Sequence, residues 1–210
     1  GPEFVSLGTY IDQPRVATKK LSKNKIAVVY AEGQIVDGKA KEGLVGGSSL
    51  AARLRDVRRD EAVKAVVLRV NSPGGSALAS EVIWHEIERI RKDRPVIVSM
   101  GNMAASGGYY ISCPADAIVT SPLTLTGSIG VFGLMFDGGA ALKNKLGITV
   151  DVAKTNPSAD MGMSVFGAVG VRPLSPAERA FMQNSVEEVY TTFVNHVAQG
   201  RNLSVGAVDS

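Results

Sequence analysis

Three short apolar runs, spaced by helix-length amphipathic segments, constrain this chain more than any other feature. Residues 26–30, 63–70 and 95–100 are too short for buried helices and lack the strict polar alternation of half-solvated strands. They read as strands covered by other elements, as in a parallel sheet. Shorter strand candidates follow at 117–120 and 148–153. Between the first two runs, residues 43–47 read as loop. A helix then runs through Arg59, capped by Ser48 or Ser49, with Leu50, Leu54 and Val57 on one face and Arg53, Arg55, Arg58 and Arg59 mostly on the other. Residues 76–92 carry Val82, Ile83, Glu86, Ile87 and Ile90 at helical spacing, and 106–113 read as a short helix. Strand–helix alternation of this kind specifies an α/β fold, a mostly parallel sheet flanked by helices.

The last helix has the clearest start. Ser175 stands three residues before Glu178, with Pro176 at the first helical position, which makes a capping box. Phe181, Met182, Val186, Val189, Tyr190, Phe193 and Val197 form an apolar stripe that must dock on a core or on a neighbouring subunit, and Gly200 reads as the terminator.

A length of 210 residues suits one domain, over residues 25–210. Residues 5–24 are a polar lead-in, and Gly1-Pro2-Glu3-Phe4 (1–4) resembles a cleavage scar with a cloning dipeptide. Truncation at both ends is expected. The longest uncharged runs are broken by Gly, Pro, Ser and Thr and do not read as membrane spans. The net charge of +3 is small and its arginines are spread out, which argues against a nucleic-acid partner. The single cysteine, Cys113, excludes an internal disulfide framework and a cysteine zinc site. No phosphate loop is present, and Gly127, Gly130 and Gly133 do not make a dinucleotide fingerprint, so no cofactor is expected. His85 and His196 lie in separate helices and mark neither a triad nor a metal site.

Two glycine-rich segments follow strands directly: Asn71-Ser72-Pro73-Gly74-Gly75, and residues 101–108 containing Ala104-Ala105-Ser106-Gly107-Gly108. Sites in open α/β sheets form at the carboxyl ends of strands, so both loops share one rim. Ser106 stands among Ala and Gly, where little obstructs its hydroxyl, and it starts a helix whose free N–H groups favour negative charge. The Gly107 N–H and one glycine N–H of the first loop suit an oxyanion hole. Small-residue packing explains the same residues, and a serine without a visible base leaves both readings open. The apolar residues Met103, Phe132 and Leu134 read either as pocket wall or as core, with core the default.

Three segments, Val67-Leu68-Arg69-Val70-Asn71-Ser72-Pro73-Gly74-Gly75, residues 100–110 ending Ala-Ala-Ser-Gly-Gly-Tyr-Tyr, and Leu125-Thr126-Gly127-Ser128-Ile129-Gly130, resemble the signal peptide peptidase A (protease IV) family in order and spacing. The resemblance implies a crotonase/Clp-protease-like fold and a serine endopeptidase with a Ser–Lys dyad. It makes Ser106 the nucleophile, Gly75 and Gly107 the oxyanion-hole amides, and Ser128 the residue that orients the lysine. It implies residual signal peptides and other apolar peptides as substrates, a homo-oligomer, and a bacterial inner-membrane location with the catalytic part outside the cytoplasm. One departure stands out. Single-domain members carry the base in a Gly-Lys-Tyr-Lys-Asp-like stretch; aligned on Asp160, this chain has Ala159 at the lysine position. The pattern is similar to the serine-bearing, carboxyl-terminal half of long members, whose lysine comes from the amino-terminal half; Lys154 is the fallback base. The competing readings are a crotonase-type acyl-CoA enzyme, which needs carboxylates near the hole, and a non-catalytic scaffold of a membrane protease assembly.

Overall fold

The computed structural model describes residues 23–165 and 169–209, so the terminal remnant and nearly all of the lead-in lie outside the described residues. In chain order the elements are β1 (Lys25–Glu32), β2 (Gln34–Val36), β3 (Leu44–Gly46), α1 (Gly47–Arg59), β4 (Val63–Ser72), α2 (Ala77–Arg91), β5 (Val96–Ala105), α3 (Gly107–Tyr110), β6 (Ala117–Val119), β7 (Leu125–Gly127), β8 (Phe136–Asp137), α4 (Gly139–Leu146), β9 (Ser164–Val165), β10 (Val169–Gly170), α5 (Pro176–Arg201) and α6 (Val205–Val208).

The main sheet runs β1-β4-β5-β6, all pairs parallel, and β7 joins the far half of β5. Its covered face follows the period of two: Val29 and Ala31, then Val66, Leu68 and Val70, then Val96, Val98 and Met100. Leu50 and Leu54 of α1 and Ile83, Ile87 and Ile90 of α2 close that core. The other face is barer, for Ile26, Val28 and Tyr30 of β1 are all more than half exposed. The fold is therefore mixed α/β, with a parallel sheet and flanking helices.

Several local expectations change, each for a physical reason. Residues 44–46 are a strand, because Leu44, Val45 and Gly46 pair with Gln34, Ile35 and Val36. Neither Ser48 nor Ser49 caps α1; the helix starts at Gly47 behind Gly46, and the Ser49 hydroxyl donates to the Gly46 carbonyl instead. The other end of α1 is satisfied by a residue with no sequence signal. The Arg94 guanidinium donates to the carbonyls of Val57, Arg58, Asp60 and Val63, which supplies the cationic donors that a helix C-terminus lacks. Val82 faces outward, and residues 148–153 form no strand.

Helix α5 starts as expected. The Ser175 hydroxyl accepts from the Glu178 N–H, and the Glu178 carboxylate accepts from the Ser175 N–H. It does not stop at Gly200 but runs to Arg201 and ends on Asn202 in the left-handed region, φ 53°. Gly200 is small for another reason: a Cβ there would stand 2.2 Å from the Cys113 carbonyl oxygen. The helix is seated on that carbonyl, which also accepts from Arg201 Nε at 2.9 Å. Only the carboxyl-terminal half of the stripe is buried, through Phe193, Val194, Val197 and Ala198, while Phe181 is exposed.

Helix propensity alone predicts that Gly200→Ala stabilises the protein by about 1 kcal/mol. The seating of α5 predicts the opposite, a lower melting temperature in calorimetry, since the methyl group must push the helix off Cys113. A higher melting temperature would contradict the close approach.

Candidate active site

The ends of β4 and β5 lie level, with Ser72 beside Ala104. The Ser72 hydroxyl, fully buried, accepts from the Gly74 N–H at 3.1 Å. The loop is then sewn to β2: Ile35 donates to the Gly74 carbonyl at 2.8 Å, and Ser76 donates to the Ile35 carbonyl at 2.9 Å. Gly74 (φ +95°) and Gly75 (φ +150°) occupy backbone conformations that side chains rarely permit. A Cβ on Gly75 would stand 2.0 Å from the Ile35 oxygen, and one on Gly74 would stand 2.6 Å from the Gly107 nitrogen. Backbone meets backbone here.

Strand β5 continues past Met100 to Ala105, where sequence reading placed loop. The reason is β7, which pairs with Met103, Ala104 and Ala105, while Thr124 and Thr126 donate to the carbonyls of Gly101 (2.7 Å) and Ala104 (2.8 Å). Ser106 follows at φ 51°, ψ −120°, and its side chain makes no capping bond. A non-glycine residue held there costs roughly 1–3 kcal/mol and is the geometry of a nucleophile elbow, a strand-to-helix turn that exposes a hydroxyl. Two bonds hold it: Ser106 N–H to the Gly127 carbonyl (2.9 Å) and Tyr110 N–H to the Ser106 carbonyl (2.8 Å). The helix expected over 106–113 is a single turn, so the amides act individually and not through a long helix dipole.

Ser106, Gly75, Gly107 and Ser128 line one cleft of about 560 Å³, together with Gly74, Tyr110, Phe132, Val189 and Phe193. The Gly75 and Gly107 N–H groups donate to no acceptor among the described residues, and a Cβ on Gly107 would stand 3.2 Å from the Gly75 nitrogen. A free hydroxyl beside two free amides suits attack on a carbonyl carbon, with the amides taking the oxygen's developing charge. Ser128, like Ser106, has positive φ, 50°.

Lys154 stands apart. Its Nζ donates to the Pro157 carbonyl and to Asp160, both at 3.0 Å, and it does not line the cleft. Neither histidine lines it either. His196 stacks on Trp84 and meets Glu81. Burial pushes the Cys113 thiol up to about 12, which removes it as a rival nucleophile. No cluster of three or more His, Cys, Asp or Glu residues able to hold a metal occurs among the described residues. Phe132 and Leu134 are not core; both are exposed, Phe132 by 90%. Sequence reading missed Tyr110, Val189 and Phe193 as cleft walls. Tyr110 lay within the quoted motif, but nothing local indicated that α5 would return to it.

Strand-end rim, elbow serine and free amides make a site of the kind that suits a hydroxyl nucleophile on an α/β fold. The model of peptidase family S49 matches residues 88–210. The chain is 48% identical over 185 residues to protease 4 of Salmonella typhi, covering 88% of this chain and 29% of that protein. It is 46% identical over 187 residues to protease 4 of Haemophilus influenzae, covering 89% and 29%. Against the chloroplastic serine protease SPPA of Arabidopsis thaliana, it is 37% identical over 191 residues, covering 89% and 27%. The chain belongs to the serine peptidases of family S49, the protease IV family. It spans less than a third of the length of these three relatives.

The segment around Lys154 generates a separate prediction. Arg172 bonds both Asp160 and Glu178 and holds their carboxyls well below the usual carboxylate range. Depressed carboxyls contribute stability above the unfolded-state value of about 4 and lose it as pH falls toward their folded values. Arg172→Met is therefore expected to melt below wild type at pH 7, with the gap narrowing below about pH 4. Melting curves against pH check this; a gap that stays constant into strong acid would refute the ion-pair account.

Proposed function

We propose that the chain is the serine-bearing part of a Ser–Lys endopeptidase that degrades residual signal peptides and other apolar peptides. The observation that supports this reading is Ser106 on a positive-φ elbow, beside two amides without acceptors among the described residues. In the proposed chemistry, a neutral lysine amine takes the proton from Ser106 Oγ as that oxygen bonds to the peptide carbonyl carbon. The Gly75 and Gly107 N–H groups stabilise the resulting oxyanion. The C–N bond then breaks, the lysine returns the proton to the leaving amine, and water hydrolyses the acyl-serine by the reverse proton path. Ser128, at the cleft edge, would orient the amine. A lysine must be desolvated well below its reference value near 10.4 to serve as base at neutral pH.

The base comes, on this reading, from outside these residues. Ala159 stands where single-domain members have lysine, and Lys154 is engaged by Asp160. The long relatives named protease 4 have room for an amino-terminal half that supplies it. The exposed half of α5 and the exposed Phe132–Leu134 stretch are the proposed contact surfaces for that half or for further subunits of a homo-oligomer. The finer fold reading is crotonase- and Clp-protease-like. The proposed location is the bacterial inner membrane, catalytic part outside the cytoplasm; among the described residues no helix is long and apolar enough to cross a membrane. The crotonase-type acyl-CoA reading is disfavoured because no Asp or Glu lines the cleft among the described residues.

Ser106→Ala in the full-length protein is expected to remove peptidase activity by several orders of magnitude with little change in melting temperature. Residues 1–210 alone are expected to hydrolyse an apolar peptide at least about 10²-fold more slowly than the same residues mixed with the amino-terminal half. Full turnover by the 210-residue chain, abolished by Lys154→Ala, would make Lys154 the base and overturn the shared-site reading.

A further inference from the structure

Behind the cleft, α2, α3 and α5 meet at one carboxylate. The Tyr110 hydroxyl donates to Glu81 Oε2 at 2.5 Å, and His196 Nε2 lies 3.1 Å from the same oxygen. The His196 ring stacks on Trp84 with centroids 3.6 Å apart and meets Tyr110 edge-on at 5.4 Å. Phe193, one turn earlier on α5, packs on Tyr110 at 4.6 Å. Burial, reinforced by Glu81, raises the Tyr110 phenol far above its ordinary value, so it stays a donor.

The backbone of Tyr110 connects this cluster to the nucleophile. Its N–H donates to the Ser106 carbonyl, and the turn it closes, Gly107–Tyr110, contains the Gly107 amide. One helical turn has almost no stability of its own, because fixing its dihedrals yields a single hydrogen bond. Its geometry depends on what anchors its ends. The leading end is fixed by the Ser106 N–H bond to Gly127. The trailing end is held by the Ile111 N–H on the Gly107 carbonyl, by the Ser112 hydroxyl on the Gly108 carbonyl, and by the Tyr110 side chain, whose only hydrogen-bond partner among the described residues is Glu81.

We infer that Glu81 is a positioning residue for the Ser106 site: by holding the Tyr110 hydroxyl and the His196 ring, it fixes the single turn that aims Ser106 Oγ and the Gly107 N–H, and it ties that aim to the docking of α5. The inference rests on Ser106 being the nucleophile. Glu81 itself does not line the cleft and takes no part in bond making. Its side chain is 42% exposed, so its weight in global stability is small while its weight in geometry is not. Because α5 is 26 residues long and most of its first half, Glu178 excepted, is exposed, a displacement there is carried along a rigid rod to His196 and thence to Tyr110.

The test uses the full-length enzyme and a fluorogenic apolar peptide, with kcat and KM measured well below the melting temperature. Tyr110→Phe and Glu81→Met are each expected to lower kcat about tenfold or more, with KM within about twofold, because a misaimed nucleophile and amide affect the transition state more than binding. Glu81→Gln keeps an acceptor for Tyr110 and is expected to recover kcat to within about threefold of wild type. The double variant Glu81→Met/Tyr110→Phe is expected to be little worse than either single one, since both break the same link. Unchanged kcat in Tyr110→Phe and Glu81→Met, a loss confined to KM, or no recovery in Glu81→Gln would overturn the inference. Ser106→Ala is the control: if it remains active, the nucleophile reading itself fails, whereas an inactive Ser106→Ala beside a fully active Glu81→Met removes only the role of Glu81.

Discussion

Everything at the rim follows from one constraint, the contact of bare backbone at Gly74, Gly75, Gly107 and Gly108. A Cβ on Gly107 would stand 2.6 Å from the Ser80 hydroxyl, and one on Gly108 would stand 2.6 Å from the Ser72 carbonyl. These are distances that real side chains do not adopt, so α3 can lie across the ends of β4 and α2 only if both positions are glycine. Close seating brings the Gly75 and Gly107 nitrogens together. It also leaves both amides without acceptors among the described residues, because neighbouring carbonyls are already spent on Ile35, Ser76 and the first turn of α3. The same packing that consumes the acceptors therefore creates the donors. A helix seated one methyl group further out would close no such pair.

The strain at Ser106 has to be offset by its surroundings, and the supports are identifiable. The elbow is flanked by a strand on one side and a single turn on the other. The β5–β7 pairing holds the strand side, the Tyr110–Glu81–His196 contacts hold the turn side, and the fully packed core of α1, α2 and the sheet lies beneath both. Interiors packed to crystal-like density transmit such constraints instead of absorbing them. That explains how a conformation costing a few kcal/mol persists at the half-buried Ser106.

Legibility in the sequence follows the range of the interactions involved. The strands at 63–70 and 95–100 and the helix over 76–92 are legible because burial of a repeating face is a local pattern. The capping box at Ser175 is legible because its donors and acceptors lie three residues apart. Family resemblance, not periodicity, singled out Gly75 and Ser128. What escaped is what depends on distant partners. Strand β5 runs on to Ala105 only because β7 supplies an edge. Leu44–Gly46 is a strand only because β2 lies alongside. Gly200 looked like a terminator because its close approach to Cys113, 87 positions earlier in the chain, is invisible locally. Arg94 and Glu81 carried no signal for the same reason: each acts on elements far from it in sequence.

The two walls of the cleft differ in kind, and the difference bears on how catalysis is organised. One wall, from Pro73 to Ser106, Tyr110 and Phe193, is continuous with the packed interior. The other, from Ser128 to Phe132, is more open: Ile129 packs against the Tyr110 and Phe193 cluster, but Ser128 is exposed and Phe132 is 90% exposed. A desolvated base cannot be built on the second wall as it stands, because water at that side would keep a lysine amine protonated at neutral pH. Covering this wall with apolar surface from another domain or subunit would achieve two things at once. It would bury the exposed Phe132, and it would lower the local polarity where the proposed amine must sit. On the proposed reading, assembly and activation of the base would be one event, driven by the same burial of apolar area. Ser106 and the Gly75 and Gly107 amides need no such help, because their geometry is already fixed from beneath.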